Sequence, residues 1–143
     1  MSSSKLTFVN VDLSTHVRMQ AVRGKDTEPE LRVRRLLHSM GYRYRLHRKD
    51  LPGTPDIVFP IRSKIIFVHG CFWHGHPHCK RAKLPSKNAT IWAEKIRNNK
   101  VRDTHNIRAL KRAGWDVLIV WECETRNEQT CAPRLRDFLD RSL

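Results

Sequence analysis

Apolar residues recur along this chain in two rhythms. After Thr27-Glu28-Pro29-Glu30, a capping-box pair with proline in the first turn, Val33, Leu36, Leu37 and Met40 fall at i, i+3, i+4 and i+7. Gly41 stands where such a helix stops. A second helical stretch runs from Asn88, read as its cap, to about Arg112, with Gly114 beyond its end. A third follows Pro133, where Leu135, Phe138 and Leu139 share a face. A short helix is also read from Ser14 or Thr15 to about Val22, ended by Arg23-Gly24-Lys25-Asp26, with residues 1–12 as a flexible N-terminal arm.

The other rhythm is short and β-branched. Tyr42 to Leu46 alternates as an edge strand does, and Asp56–Phe59 and Lys64–Val68, separated by Pro60 to Ser63, read as a hairpin. Asp116–Trp121 is the strongest strand signal, whereas residues 69–87, rich in His, Gly, Pro, Cys and Lys, read as irregular. Strand 64–68, helix 88–112 and strand 116–121 form a βαβ unit, so those two strands are expected to be parallel with their C-terminal ends on one edge. Val68-His69-Gly70-Cys71 would then meet Glu122-Cys123 at the edge where α/β sheets gather functional groups. The reading is α/β, a mixed central sheet flanked by helices, with residues 13–143 as one domain.

Composition fits that size. At 143 residues and 39% hydrophobic content the chain can bury one core. Lys and Arg total 28 against 14 Asp and Glu, a net +14, and self-repulsion of that size makes a polyanion the natural partner. Nucleic acid is favoured over a membrane, because Ile65-Ile66-Phe67-Val68 and Val117-Leu118-Ile119-Val120-Trp121 are far too short to span a bilayer. The opening residues lack a secretory apolar core, so a reducing cytoplasm is expected. There, cysteines interleaved with histidines suggest a metal before they suggest disulfides.

Cys71, His76, His78 and Cys79 lie close together in sequence, and the βαβ topology delivers Cys123 beside them. Three sulfurs and one imidazole, from His76 or His78, would close a tetrahedral structural zinc site and fix a loop with little core of its own. Cys131 is read as an ordinary thiol.

A second constellation contains acids. Asp56 opens one strand of the hairpin, Val68-His69 closes the next, and Glu30 comes from the preceding helix. Such a set suits a Mg²⁺-dependent phosphodiesterase, with His69 and His74 for proton transfer. Asp103 falls on the apolar stripe of Trp92, Ile96, Ile107 and Leu110, so it needs a partner such as His74 or an arginine. Each residue also has a structural reading: Asp56 as a turn residue, Glu30 as the capping partner of Thr27, Asp103 in a salt bridge.

The words Pro52-Gly53-Thr54-Pro55-Asp56-Ile57, Phe67-Val68-His69-Gly70-Cys71-Phe72-Trp73-His74-Gly75-His76, Trp92-Ala93-Glu94-Lys95-Ile96 and Val120-Trp121-Glu122-Cys123 resemble those of the very-short-patch repair (Vsr) endonucleases. The resemblance covers roughly residues 14–126. It implies a restriction-endonuclease-like three-layer fold with a structural zinc, and a Mg²⁺-dependent cut 5′ to the thymine of a T·G mismatch left by 5-methylcytosine deamination. It further implies that Asp56 and the Val68 carbonyl hold Mg²⁺, that Glu30 acts through a water on the ion, that His74 is the general base and that His69 assists at the phosphate. Phe72, Trp73 and Trp92 resemble an exposed wedge beside the mismatch, core packing being an equal reading for Trp92, with Met19 approaching from the other groove; Lys95 and Asn99 resemble readers of the mispaired bases, a solvated helix face being the alternative. The implied partners are double-stranded DNA, mismatch-repair proteins and a cytosine-5 DNA methyltransferase, and the implied state is a monomer. Two other readings compete: a nuclease without strict mismatch specificity, and a non-catalytic zinc DNA-binding module.

Overall fold

The structure is a computed structural model describing residues 26–141. The arm at 1–12, the helix near 14–22 and Met19 therefore lie outside the described residues. In chain order the elements are α1 (Glu28–Ser39), β1 (Arg45–Leu46), β2 (Ile57–Phe59), β3 (Lys64–His69), α2 (Ala89–Arg112), β4 (Asp116–Trp121) and α3 (Glu128–Asp140). Short 3₁₀ turns occupy Lys80–Ala82 and Glu124–Arg126.

The sheet runs β1-β2-β3-β4. β1 and β3 flank β2 antiparallel, and β3 pairs with β4 in parallel from Lys64↔Asp116 to His69↔Trp121. This is the expected βαβ unit, and α2 covers one face of the sheet. Val58, Ile65, Phe67 and Leu110 pack there, while Ile57, Phe59 and Ile66 point the other way, onto Val33 and Leu37 of α1 and Leu135, Phe138 and Leu139 of α3. Helices on both faces explain why β2 and β3 read as unbroken apolar runs. Each fully buried aliphatic side chain contributes about 1.5–3 kcal/mol relative to exposure.

Four local expectations need correction. Pairing in the first strand is confined to Arg45–Leu46, because Tyr42 and Tyr44 are used differently: Tyr42 bonds Asp140 through its hydroxyl, and Tyr44 packs edge-on against Phe59. α3 begins at Glu128, ahead of Pro133, since the Asn127 side chain accepts from the Gln129 N–H and opens the helix earlier. Asn88 stands at the N-cap of α2 in a left-handed conformation, φ +60°, and its side chain makes no capping bond. The loop after β3 is irregular except for the turn at Lys80–Ala82.

Candidate functional site

A cleft of about 740 Å³ opens along the C-terminal edge of β3. Register explains what it contains. Because β2 is antiparallel to β3, its first residues sit beside the last residues of β3, and Asp56, just before β2, is brought to Val68. The Asp56 carboxylate accepts the Val68 N–H at 2.7 Å. His69 gives its carbonyl to the Glu122 N–H beyond β4. Backbone groups alternate along a strand, so the Val68 carbonyl is directed to the Asp56 side. Among the described residues no ion pair involves Asp56. Burial pushes its carboxyl up to about 7; the Val68 N–H works against that, and the charge of Glu30 adds to it. An acid held in this way is short of a cation.

Glu30 is buried, 2% exposed, on the first turn of α1. The capping box forms only in part. Thr27 accepts the Glu30 N–H at 3.4 Å, but the Glu30 carboxylate reaches past Thr27 to the Asp26 N–H at 3.2 Å. Its other oxygen meets His47 Nε2 at 2.7 Å and Arg34 at 3.3 Å. The Arg34 contact has a sequence signal, the i,i+4 spacing from Glu30. The His47 contact has none, and sequence reasoning missed it.

The histidines follow β3. His69, 4% exposed, lies under His74, their rings stacked 3.8 Å apart with a 7° tilt. Burial and the neighbouring His74 push His69 down to about 3, so it is neutral across the physiological range. His74 Nδ1 meets Asp103 Oδ2 at 2.6 Å, which supplies the partner Asp103 needed. A carboxylate accepts, so Nδ1 is the donor in this pair, and Nε2 is the ring nitrogen that the bond leaves for other chemistry.

Behind the cleft, Cys71, His76, Cys79 and Cys123 place their ligand atoms within 4.8 Å of one another. His76 Nδ1 lies 3.6 Å from Cys71 Sγ and 3.5 Å from Cys123 Sγ. His78 is exposed, in a left-handed turn with φ +55°, and is not in the cluster. Cys131 is buried in the core among the residues of α3. Burial pushes the Cys71 thiol up to about 12. At Cys79 burial acts in the same direction, but N–H groups of Arg81 and Ala82 and the facing thiols outweigh it and hold that thiol below its ordinary value. Three sulfurs and one imidazole facing one point fit a tetrahedral divalent ion. Trp121 links the two centres, stacking on His76 at 4.2 Å and meeting His69 edge-on at 5.4 Å.

The aromatic residues correct an expectation of exposure. Trp73 and Trp92 are 6% and 3% exposed and Phe72 is half-buried. The three rings pack mutually edge to face, with centroids 5.3–5.8 Å apart. Asn99 is likewise not a bare helix face. Its amide donates to the Trp73 carbonyl at 2.9 Å and its oxygen accepts from Arg102 at 3.4 Å, while Lys95 is half-buried.

Comparison with known proteins bears on this arrangement. Residues 12–81 match the family model described as DNA mismatch endonuclease Vsr. The type II nicking enzyme V.XorIIP of Xanthomonas oryzae pv. oryzae is 55% identical over 124 residues, spanning 87% of this chain and 90% of that protein. The DNA mismatch endonuclease Vsr of Escherichia coli is 43% identical over 111 residues, 78% of this chain and 70% of that protein. This chain belongs to the Vsr family. The type II nicking enzyme V.NmeAIP of Neisseria meningitidis is 42% identical over 134 residues, 94% of this chain and 89% of that relative. The Vsr family model stops before Asp103 and Cys123, which only the fold brings to the histidines and to Cys71. Among the described residues no helix is long and apolar enough to cross a membrane.

Proposed function

We propose that this chain is a Mg²⁺-dependent nicking endonuclease that cuts DNA 5′ to the thymine of a T·G mismatch. The observation that carries the reading is the meeting of Asp56, the Val68 strand end and the His74–Asp103 pair in one cleft of a Vsr-family chain. Asp56 and the Val68 carbonyl would hold the divalent ion, whose chemistry is to neutralise phosphate charge and acidify water. Asp103 fixes His74 through Nδ1, and Nε2 of the neutral ring would take the proton. His69, neutral and stacked beneath, holds the His74 ring in plane. Glu30 supplies a second carboxylate, whose charge helps to raise the Asp56 carboxyl and which would act through a water on the ion.

The same reading assigns zinc to Cys71, His76, Cys79 and Cys123, and gives the chain a restriction-endonuclease-like fold with residues 13–143 as a single domain. The edge-to-face trio Phe72, Trp73 and Trp92 serves as a preassembled wedge, and the same reading gives the mispaired bases to Lys95 and Asn99 and the other groove to Met19. Cutting one strand at an asymmetric lesion suits a monomer in the cytoplasm. Its work would be coupled to a cytosine-5 methyltransferase that creates the lesions and to mismatch-repair proteins that share them.

End-labelled duplexes differing only in T·G, T·A or another mismatch, incubated with Mg²⁺ or EDTA, test this directly. A Mg²⁺-dependent nick confined to T·G is expected. Equal cutting of T·A identifies a nuclease without mismatch specificity, and binding without any cut identifies a zinc DNA-binding module.

A further inference from the structure

Glu30 and Asp56 come from different elements, yet one residue outside the proposed machinery touches both. The His47 N–H donates to the Asp56 carbonyl at 3.1 Å, and its imidazole Nε2 lies 2.7 Å from Glu30 Oε2. Its side chain is 15% exposed, and its backbone sits at φ +49°, a left-handed conformation uncommon outside glycine that histidine, like asparagine and aspartate, adopts more readily than other residues. β1 ends at Leu46, and this turn at His47 aims the ring at α1. The strained backbone is what permits both contacts at once.

We propose that His47 is a positioning residue that fixes Glu30 relative to Asp56, so that the two carboxylates keep a set geometry at the site that would hold the ion. Nε2 donates to the carboxylate, and the other Glu30 oxygen, among the described residues, takes only the Asp26 N–H at 3.2 Å. Arg34 alone would not achieve this, because its guanidinium is shared with Asp26 at 2.7 Å and approaches Glu30 only to 3.3 Å. The inference rests on the nuclease reading above.

Three variants separate the side chain from the turn. His47→Gly relieves the left-handed strain and removes the ring. His47→Asn also tolerates that backbone but is too short to reach Glu30. His47→Gln carries its amide N–H about as far as Nε2. Each is measured for single-turnover nicking of a T·G duplex, for the Mg²⁺ concentration giving half-maximal rate, for duplex affinity without Mg²⁺ and for Tm. Expected are folded Gly and Asn variants that bind DNA as the parent does, nick roughly 10- to 100-fold more slowly and need more Mg²⁺. The Gln variant should recover most of the rate. Wild-type rates in the Gly and Asn variants, a Gln variant no faster than Asn, or affinity falling in step with rate would overturn the proposal while leaving the nuclease reading intact. Should Gly fail to fold, the Asn–Gln contrast still decides. Failure of the parent itself to nick overturns the nuclease reading and the role of His47 with it.

Discussion

Two aspartates mark opposite ends of the same sheet, and they live in opposite electrostatic worlds. Asp116, where β4 begins, is met by Lys64 at 3.1 Å and by three bonds from Arg141. Burial would raise its carboxyl, but those cations outweigh burial and hold it below the ordinary range. Asp56, at the other end, has one N–H and a second carboxylate nearby, and is pushed up to about 7. A saturated acid serves the fold. An acid without a cation costs the fold something and is kept for what it can bind. Neutralising the two should therefore have opposite consequences.

The largest effect is expected from Asp56→Asn. Losing a ligand to the ion should slow nicking at least about 1000-fold, beyond the roughly 10- to 100-fold cost of disturbing an outer partner, with duplex binding retained. Stability should move the other way. The ordinary value is 3.8 and the folded one about 7, so the folded protein keeps a proton that the unfolded chain has shed between them. Stability of the wild type in EDTA is thus full below about 4 and falls as pH rises through about 7. Asn accepts the same Val68 N–H without the charge, so the variant should gain on the wild type across that window, by at most about 4 kcal/mol. Denaturation curves at pH 5 and pH 8 that shift in parallel for the two proteins would remove the contrast between the two ends.

Next in size is Asp103→Asn. An amide presents its N–H or its oxygen to Nδ1 with equal ease, so His74 loses its fixed tautomer, and the nicking rate should drop roughly 100-fold. The loss should shrink at higher pH only if another group deprotonates water. A pH–rate profile identical to that of the parent, at the same rate, would show that Asp103 is a salt-bridge partner and no more.

Much of the sheet and of the Cys-His cluster was readable from sequence, for reasons that differ by element. β3 and β4 announced themselves because both faces are covered, leaving no polar alternation to confuse the period. The Cys-His cluster was legible because a structural ion needs ligands of a few types at short spacing, although only the turn at His78 decides for His76. His47 could not be found, since its contacts with Glu30 and Asp56 come from a left-handed turn that no residue at that position advertises. Phe72 and Trp73 were expected to be exposed because a glycine-rich loop looks open in sequence, whereas for Trp92, on α2, core packing was an equal reading and is what the structure has. Gly75, at φ +61°, in fact lies so near Ile96 that a Cβ would come within 2.8 Å of it, which presses the loop against α2.

At the saturated end the expected effects are smaller and confined to stability. Asp116→Asn leaves the Lys64 ammonium, 3% exposed, facing an amide, and should cost about 2 kcal/mol at neutral pH, less than the loss for a wholly buried pair because Asp116 is 19% exposed. Its carboxyl is held low, so this contribution is present above the ordinary 3.8 and fades as pH falls through the folded value, the reverse of Asp56.

Lys64→Met should do least of all. It removes the Lys64 cation, but Asp116 keeps all three bonds from Arg141 and is partly solvated, so its charge is not stranded. The thioether can lie against Phe138, whose ring centroid is 4.9 Å from Lys64 Nζ, and buried ion pairs replaced by apolar groups of similar size often change stability little. A shift within about 1 kcal/mol, with nicking at the parental rate, is the expected result from chemical denaturation and the duplex assay. A drop in nicking without a drop in stability would mean that the two ends of the sheet are coupled, and that the Asp116 network reaches the cleft through β3 instead of merely closing the fold.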